Sequence, residues 1–484
     1  MSKLKNQNIQ RMIVGDSRRM FESASPDRLT MSWDTNTYTP DQVTYSQLET
    51  LRARSRQQAR NNDYVVRLIQ ILQDNIIGAA GFKLRSQVVD FNGKPDQPAR
   101  KVIESGWQEF IEQTDFIATQ QLIVTSMVTD GEAFVYLRTD RSGRLIPTLI
   151  DPVRVDINFN QKRNNGNVIR MGIEYDQFLT PVAYHINDDY VDYHPAVGAS
   201  EGAQTRTRIP ADKLRHIFRK QFVGQKRGMP WASASLGRLF QLGRYEEAAL
   251  TAARIGAAKM GFFRSEDNEE YTGDEESGDM MLNAEAGTFE NIGSLQFETF
   301  DPSYPSGEFK EFMGQTLKGI ASGLGVDYHT LGNDLAGVNY SSARVGMLET
   351  REYFKTLQGW LIQSLIKPVF KYWLGSELYY GRLEINNKPL SRGVGYYLPS
   401  QWVGRRWEWV DPLKEANAKK VQYEMRIVSL SQIIRERGDE PEEVFKEIAE
   451  EDALMKSLGI SAVQVMSKLE QENALKDDED DEDD

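Results

Sequence analysis

The sequence predicts an α+β fold that is mainly helical. Apolar residues recur at helical spacing over several long stretches, whereas the block from Ala133 to Phe222 changes to short β-rich runs separated by turn residues. The chain is also large enough for sizeable cores: 484 residues, 40% hydrophobic and 27% charged, suffice for roughly three domains.

Residues 1–44 are polar, contain Pro26 and Pro40, and read as an extended arm. A first helix is predicted from Thr44 to Ile77. Its front half is basic (Arg52, Arg54, Arg56, Arg60) and its back half sets Val65, Leu68, Ile69 and Leu72 on one face, with Gly78 and Gly81 as stops. Ala99–Thr114 follows, with Val102, Ile103, Trp107, Phe110 and Ile111 on a stripe, and Ile117–Asp130 reads as a further helix. The runs AFVYLR, VRVDINF, VIRMGIEY and PVAYHI are then expected to form an antiparallel sheet region.

After Pro230 the pattern lengthens. A helix is predicted from Trp231 to Phe262, spanning ~48 Å at about 1.5 Å per residue. It is rich in small residues (Ala248, Ala249, Ala252, Ala253, Gly256, Ala257, Ala258), which suit close helix packing or simply an ordinary core. A helix from Ser306 to Gly323 carries a narrow stripe of Phe309, Phe312, Met313, Thr316, Ile320 and Leu324. Another runs from Tyr340 to Leu374, and Pro368 is expected to kink it. Between them VDYHTLGNDLAGVN reads as a loop held on rigid elements, a place where function often sits. Strands are expected at Leu378–Ile385 and Tyr396–Leu398, then an aromatic cluster of Trp402, Trp407 and Trp409. Helices at Pro412–Arg437 and Pro441–Ser457 close the pattern, the second opening on Pro-Glu-Glu.

The net charge of −13 is unevenly placed. Residues 264–301 hold twelve acids against Arg264, and the tail 476–484 holds eight acids against Lys476, so the remaining body is mildly basic. The tail reads as solvated and self-repelling. The insert reads as an exposed loop or, more sharply, as an acidic docking surface for a basic partner.

Chemistry is sparse. With no Cys there is no disulfide, thiolate metal site or cysteine nucleophile, and His185, His194, His216 and His329 lack the spacing of a histidine zinc site. No phosphate-binding GK[ST] loop and no GxGxxG after a strand is present. GASEG, from Gly198 to Gly202, matches GxSxG only formally, because loop-like sequence flanks it on both sides. Asp151 and Asp156, or Asp188 and Asp189, lack a third partner for a two-metal site, and His216 reads as a packed structural histidine. Arg52–Arg60 and Phe218–Gly228 are basic, with helix-surface charge as their default reading and nucleic-acid contact as the sharper one. No cofactor is implied, and no apolar run approaches the ~20 residues of a membrane-spanning helix.

Five ordered blocks resemble the lambda-type portal proteins of tailed bacteriophages. They are LRARSRQQARNNDYVVRLIQILQDNIIG (Leu51–Gly78), GEAFV with IDPVRVD and GIEYDQFLTPVAYHI, GQKRGMPWASASLGRLFQLGRYEEAALTAARIGAA (Gly224–Ala258), NYSSARVGMLETR (Asn339–Arg351) and WVDPLKEANA (Trp409–Ala418). The resemblance implies a portal fold closing into a dodecameric ring at one capsid vertex. Such a ring is a passive conduit for double-stranded DNA during packaging and ejection, not an enzyme. It implies a wing at 45–230, a first stem helix at 231–262, a clip at 263–305 and a second stem helix at 306–325. A tunnel loop at 326–339, a kinked long helix at 340–375, a wing return at 376–411 and a crown at 412–475 would follow, with 476–484 as a disordered acidic tail. Asp327, Tyr328, His329, Thr330, Asn333, Asp334 and Asn339 would face the DNA channel. Glu266, Asp267, Glu269 and Glu270 in the clip would dock the terminase or adaptor. The implied partners are the terminase large subunit, the major capsid protein, a head-completion or tail adaptor protein and the DNA itself. The implied location is the virion, after assembly in the host cytoplasm. A DNA-processing enzyme, such as a nuclease or terminase subunit, is the competing reading.

Overall fold

A computed structural model describes residues 28, 31–32, 34–188, 206–257, 261–265, 295–299, 309–334, 340–407, 412–437 and 441–459. Helix α1 (Pro40–Asn61) opens on a capping box. Thr39 accepts from the Gln42 backbone N–H, and the Gln42 side chain accepts in return from the Thr39 backbone. The helix expected over Thr44–Ile77 is in fact two. Asn62 adopts extended backbone (φ −119°, ψ 117°), ends α1 and uses its side chain to cap α2 (Asp63–Ile76). A short Asn side chain that bonds neighbouring backbone N–H groups competes with helix continuation.

Strand β1 (Lys83–Ser86) leads to α3 (Gln97–Thr114) and α4 (Phe116–Thr129), separated by Asp115 in the left-handed region. Next come β2 (Glu132–Thr139), β3 (Leu145–Ile150), β4 (Gln161–Lys162), β5 (Val168–Arg170), β6 (Ile173–Tyr175), β7 (Pro181–Asn187), β8 (Arg206–Pro210) and β9 (Leu214–Phe218). They form two antiparallel sheets, in the orders β3-β2-β9 and β4-β5-β6-β7-β8. The antiparallel sheet expectation therefore holds, with one correction. VRVDINF is not a strand, because Asp151 caps a 3-10 turn over Pro152–Arg154.

Helix α5 (Leu236–Ala257) starts later and ends earlier than the helix expected over Trp231–Phe262. It is 22 residues, or about 33 Å, and Phe262 belongs to β10 (Gly261–Ser265). β10 pairs antiparallel with β11 (Leu295–Thr299), so the two ends of the acidic insert meet in a ladder. Helix α6 (Phe309–Leu324) packs back along α5, with Tyr245 against Phe309 and Phe312 at ring separations of 5.5 and 4.9 Å. Gly319 and Gly323 allow the close approach: a Cβ on either would fall 2.4 Å from Arg238 Nη1 or 2.6 Å from Ser235 Oγ. Of the small residues on α5 whose side chains are described, Ala249 is buried while Ala248 and Ala253 are exposed. In this chain the helix is thus not wholly enclosed by a core.

Helix α7 (Tyr328–Gly332) is a turn of helix inside the segment expected to be a loop. Helix α8 (Tyr340–Leu361) runs through a π segment (Ile362–Ile366) into α9 (Lys367–Tyr379). Pro368 has no N–H and its ring crowds the carbonyl of Ser364, so the widened turn falls where the ladder fails. The strand expected from Leu378 is helical to Tyr379, with only Glu384–Ile385 (β12) pairing with Lys388–Pro389 (β13). Tyr396–Leu398 is likewise no strand: Val394–Tyr397 is a helical turn (α10), and the strand β14 (Ser400–Val403) pairs with β1. The helix expected over Pro412–Arg437 is broken into α11 (Pro412–Glu424) and α12 (Leu430–Arg437) around Arg426, whose φ is +60°. Helix α13 (Pro441–Ser457) matches its expected span.

The main core joins α2, α3, α4, α6, α8 and α9 around Trp107. Its ring lies 5.3 Å from Trp373, 5.4 Å from Phe370 and 5.5 Å from Trp402. Of the tryptophans expected to cluster, Trp402 and Trp407 both pack on the main core but meet different rings. Trp402 joins Trp107, whereas Trp407 stacks on Phe354 and donates to Asn75 Oδ1 at 2.7 Å. Trp409 lies outside the described residues.

Candidate functional site

The densest polar site lies where α1, the two sheets and the lead-in to α5 meet. Glu132, the first residue of β2, is fully buried and points at two arginines. Arg227 Nε donates to Glu132 Oε1 at 2.8 Å, and Arg52, from the middle of α1, reaches the same oxygen. His216 on β9 stands 2.8 Å from Oε2, which also accepts the Gly228 backbone N–H at 2.9 Å. Arg227 continues outward, donating from Nη1 to the carbonyls of Met171 (2.6 Å) and Val155 (3.0 Å). One turn along α1, Arg56 bridges Asp130 and Asp151, each at 2.7 Å.

This knot balances three guanidinium cations against three carboxylates. Burial alone would raise the Glu132 pKa, but Arg227 and then Arg52 hold it well below the usual carboxylate range. His216 goes the other way. Burial lowers its pKa against the pull of Glu132, and the ring lies stacked between Phe134 and Phe218, 4.4 Å from each. Backbone approach is equally tight. A Cβ on Gly131 would fall 2.0 Å from the Met229 carbonyl carbon, and one on Gly228 would fall 2.0 Å from the Gly131 oxygen.

The arginines of the two basic stretches therefore do not all ride a helix surface. Arg52 and Arg227 are buried, and Arg56 is committed to two carboxylates. A signal for this was present: Thr44, Leu48, Arg52 and Ser55 fall on one helical face, and all four are buried. The aspartates considered as a chance pair are also spent separately, Asp151 on Arg56 and Asp156 on Arg206.

A second polar cluster occupies the larger sheet. Glu174 accepts from Arg208 Nε (2.8 Å) and Asn167 Nδ2 (2.7 Å), and His185 Nε2 lies 3.2 Å away. The Arg208 hydrogen bond leads the effects that bring the Glu174 pKa down to about 2.

Six of the seven residues expected in the tunnel loop fall together. Helix α6 ends at Gly325 (φ +70°), where Val326 N–H returns to the Ala321 carbonyl at 3.1 Å. Asp327 Oδ2 then caps α7 by accepting from Thr330 N–H (2.9 Å) and hydroxyl (3.1 Å). Tyr328 donates to Asp334 Oδ2 at 2.9 Å, and His329 Nδ1 lies 2.8 Å from the Asp334 carbonyl. Asn333 turns the chain at φ +49°. These side chains are engaged with one another, and Leu331 is buried among α2 and α6. Asn339 lies outside the described residues, as do Glu266, Asp267, Glu269, Glu270 and the Gly198–Gly202 segment.

The described residues thus combine a buried ionic knot, two packed helices, a strand pair at the ends of the acidic insert and a long helix interrupted by a π turn. A sequence profile described as phage portal protein, lambda family, matches residues 26–358. The probable portal protein of Halomonas phage phiHAP-1 is 31% identical over 462 residues, covering 91% of this chain and 88% of that protein. Portal protein B of Escherichia phage lambda is 22% identical over 484 residues, covering 89% and 88%. The neck of an empty gene transfer agent particle aligns over 80% of this chain and 93% of its own at 13% identity, with a TM-score of 0.42. The chain belongs to the lambda family of phage portal proteins.

Proposed function

We propose that twelve copies of this chain close into a ring at one capsid vertex, through which double-stranded DNA passes during packaging and ejection. The observation that carries this reading is the packed α5–α6 pair, with the β10–β11 ladder between them in sequence and the lead-in to α5 tied to β2 by the Arg227–Glu132 knot. The exposed Phe240, Leu250 and Phe312 on those rods supply apolar surface for a neighbouring copy. Closed cyclic assembly makes each such interface heterologous. On this reading α5 and α6 are the stem, residues 263–305 the clip, 45–230 with 376–411 the wing, and 412–475 the crown.

The acidic insert is suited to a basic surface on the terminase large subunit or a head-completion adaptor. The wing would face the major capsid protein, in the virion and, before that, during assembly in the host cytoplasm. A conduit must centre DNA without gripping it, since each neutralised phosphate adds salt-sensitive affinity. Commitment of Arg52, Arg56 and Arg227 to internal carboxylates supports that requirement. Averaged top views of purified assemblies should show a ring with an axial hole; a stable 55.2 kDa monomer under assembly conditions would overturn the ring.

A further inference from the structure

Among the described residues, four hairpin turns share one geometry. At 90–94, 140–144, 163–167 and 176–180 the first residue's N–H donates to the carbonyl of the fifth, at 2.7, 2.9, 2.8 and 3.0 Å. In each, the fourth residue's N–H returns to the first carbonyl, and that fourth residue has positive φ. Glycine fills this position in three turns: Gly93 (+74°), Gly143 (+79°) and Gly166 (+85°). The fourth turn uses Leu179, at φ +60°. Leucine is disfavoured in the left-handed region that glycine enters freely.

Burial does not compensate this Leu. Leu179 is 55% exposed, and its neighbour Phe178 is 78% exposed. The turn is nonetheless held firmly, since Asp176 Oδ1 accepts from both the Phe178 and Thr180 N–H groups. An apolar pair is thus displayed on a rigid tip at the one position where this fold otherwise places glycine.

The tip borders a cavity of about 390 Å³ lined by Leu179 together with Tyr175, Tyr184, Phe218, Lys220 and Lys226 among others. Gly224 and Gln225 also line it, and next to them in the chain Phe222 and Val223 are 63% and 98% exposed. Lysine supplies the charged side chains of the lining, and no carboxylate is among the described lining residues. Lys226 is paired with Asp41, whereas Lys220 is exposed.

We propose that the Phe178–Leu179 tip and this cavity form a docking surface for a partner polypeptide that inserts an apolar side chain flanked by carboxylates. Leu179, Tyr175, Tyr184 and Phe218 supply burial for an apolar side chain within a mixed lining that also holds His216 and Gln225, and the exposed Lys220 selects the charge. The surface is independent of ring closure: failure of the ring leaves it standing, and its own failure leaves the ring untouched.

The probe is a set of three fluorescent peptides titrated against the full chain: an acidic one with a central Leu-Phe pair, the same pair flanked by lysines, and an acidic one without apolar residues. Only the first should bind saturably. Leu179→Gly and Phe178→Ser should abolish that binding, and Lys220→Glu should weaken it roughly two- to fivefold, the range of an exposed charge pair. Leu179→Gly should leave the thermal midpoint unchanged or raised, because glycine fits the backbone there. A lowered midpoint would assign Leu179 to the fold. Equal binding of the lysine-flanked peptide, undiminished binding by the Leu179→Gly variant, no binding at all, or a tip that saturates only with a second copy of the chain would each overturn the proposal.

Discussion

Arg227 and Glu132 face each other with neither residue reached by solvent, the guanidinium Nε 2.8 Å from one carboxylate oxygen and 3.1 Å from the other. Ninety-five residues apart in sequence, they tie β2, the middle strand of the three-stranded sheet, to the segment that leads into α5. Arg52 and His216 close the same carboxylate from two further elements.

Removing the shared carboxylate charge should therefore cost more than any surface ion pair. Glu132→Gln leaves Arg52 and Arg227 buried without their counter-charge and is expected to destabilise the chain by about 3–5 kcal/mol. Lys355→Gln, which removes an exposed pair with Glu352, should cost under about 1 kcal/mol. Urea unfolding of the two variants checks the contrast; equal midpoints would show that the knot carries no stability.

Gly131 and Gly166 both have positive φ, +79° and +85°, but only Gly131 meets backbone where a Cβ would go. Alanine at 166 should show only the strain of its dihedral, because nothing lies within 4 Å. Alanine at 131 must push Met229 away and should prevent accumulation of folded chain, or lower its midpoint far more than the 166 variant. Soluble yield and thermal melts separate the two.

Stability should fall with acidification in two stages. Burial leads in lowering the folded-state pKa values of His216 and His185 below 6.5, so the unfolded chain takes up these protons first. Their contribution is present above about pH 6.5 and fades below it. The Glu174 contribution is present above its ordinary value of 4.5 and is lost as pH drops toward about 2. Urea midpoints measured across this range should decline from about pH 6.5, and His216→Gln should flatten the first stage.

Because Asp327–Asp334 bond among themselves around α7, deleting all of 326–339 would strip packing from α2 and α6. Replacing only 335–339 by a glycine linker should leave oligomer formation intact while lowering DNA retention in packaged particles. Packaging at the normal level with that linker would remove these residues from the proposed tunnel role.

Periodicity in the sequence was sufficient for the helical stripes, the antiparallel block and the Pro441–Ser457 helix, because burial of one face leaves its spacing in the chain. The family was legible too, in blocks whose meaning as a set is spatial: LRARSRQQAR, GEAFV, IDPVRVD and GQKRG all send side chains to one knot. What the tertiary structure alone decided was the state of the charges. An arginine in α1 reads as solvated until Glu132 and Arg227 are brought beside it, and Asn62 ends a helix only because its side chain caps the next. Local pattern records which face is apolar. Which distant carboxylate will neutralise a buried cation depends on contacts 80 to 95 residues apart, and no spacing rule spans that distance.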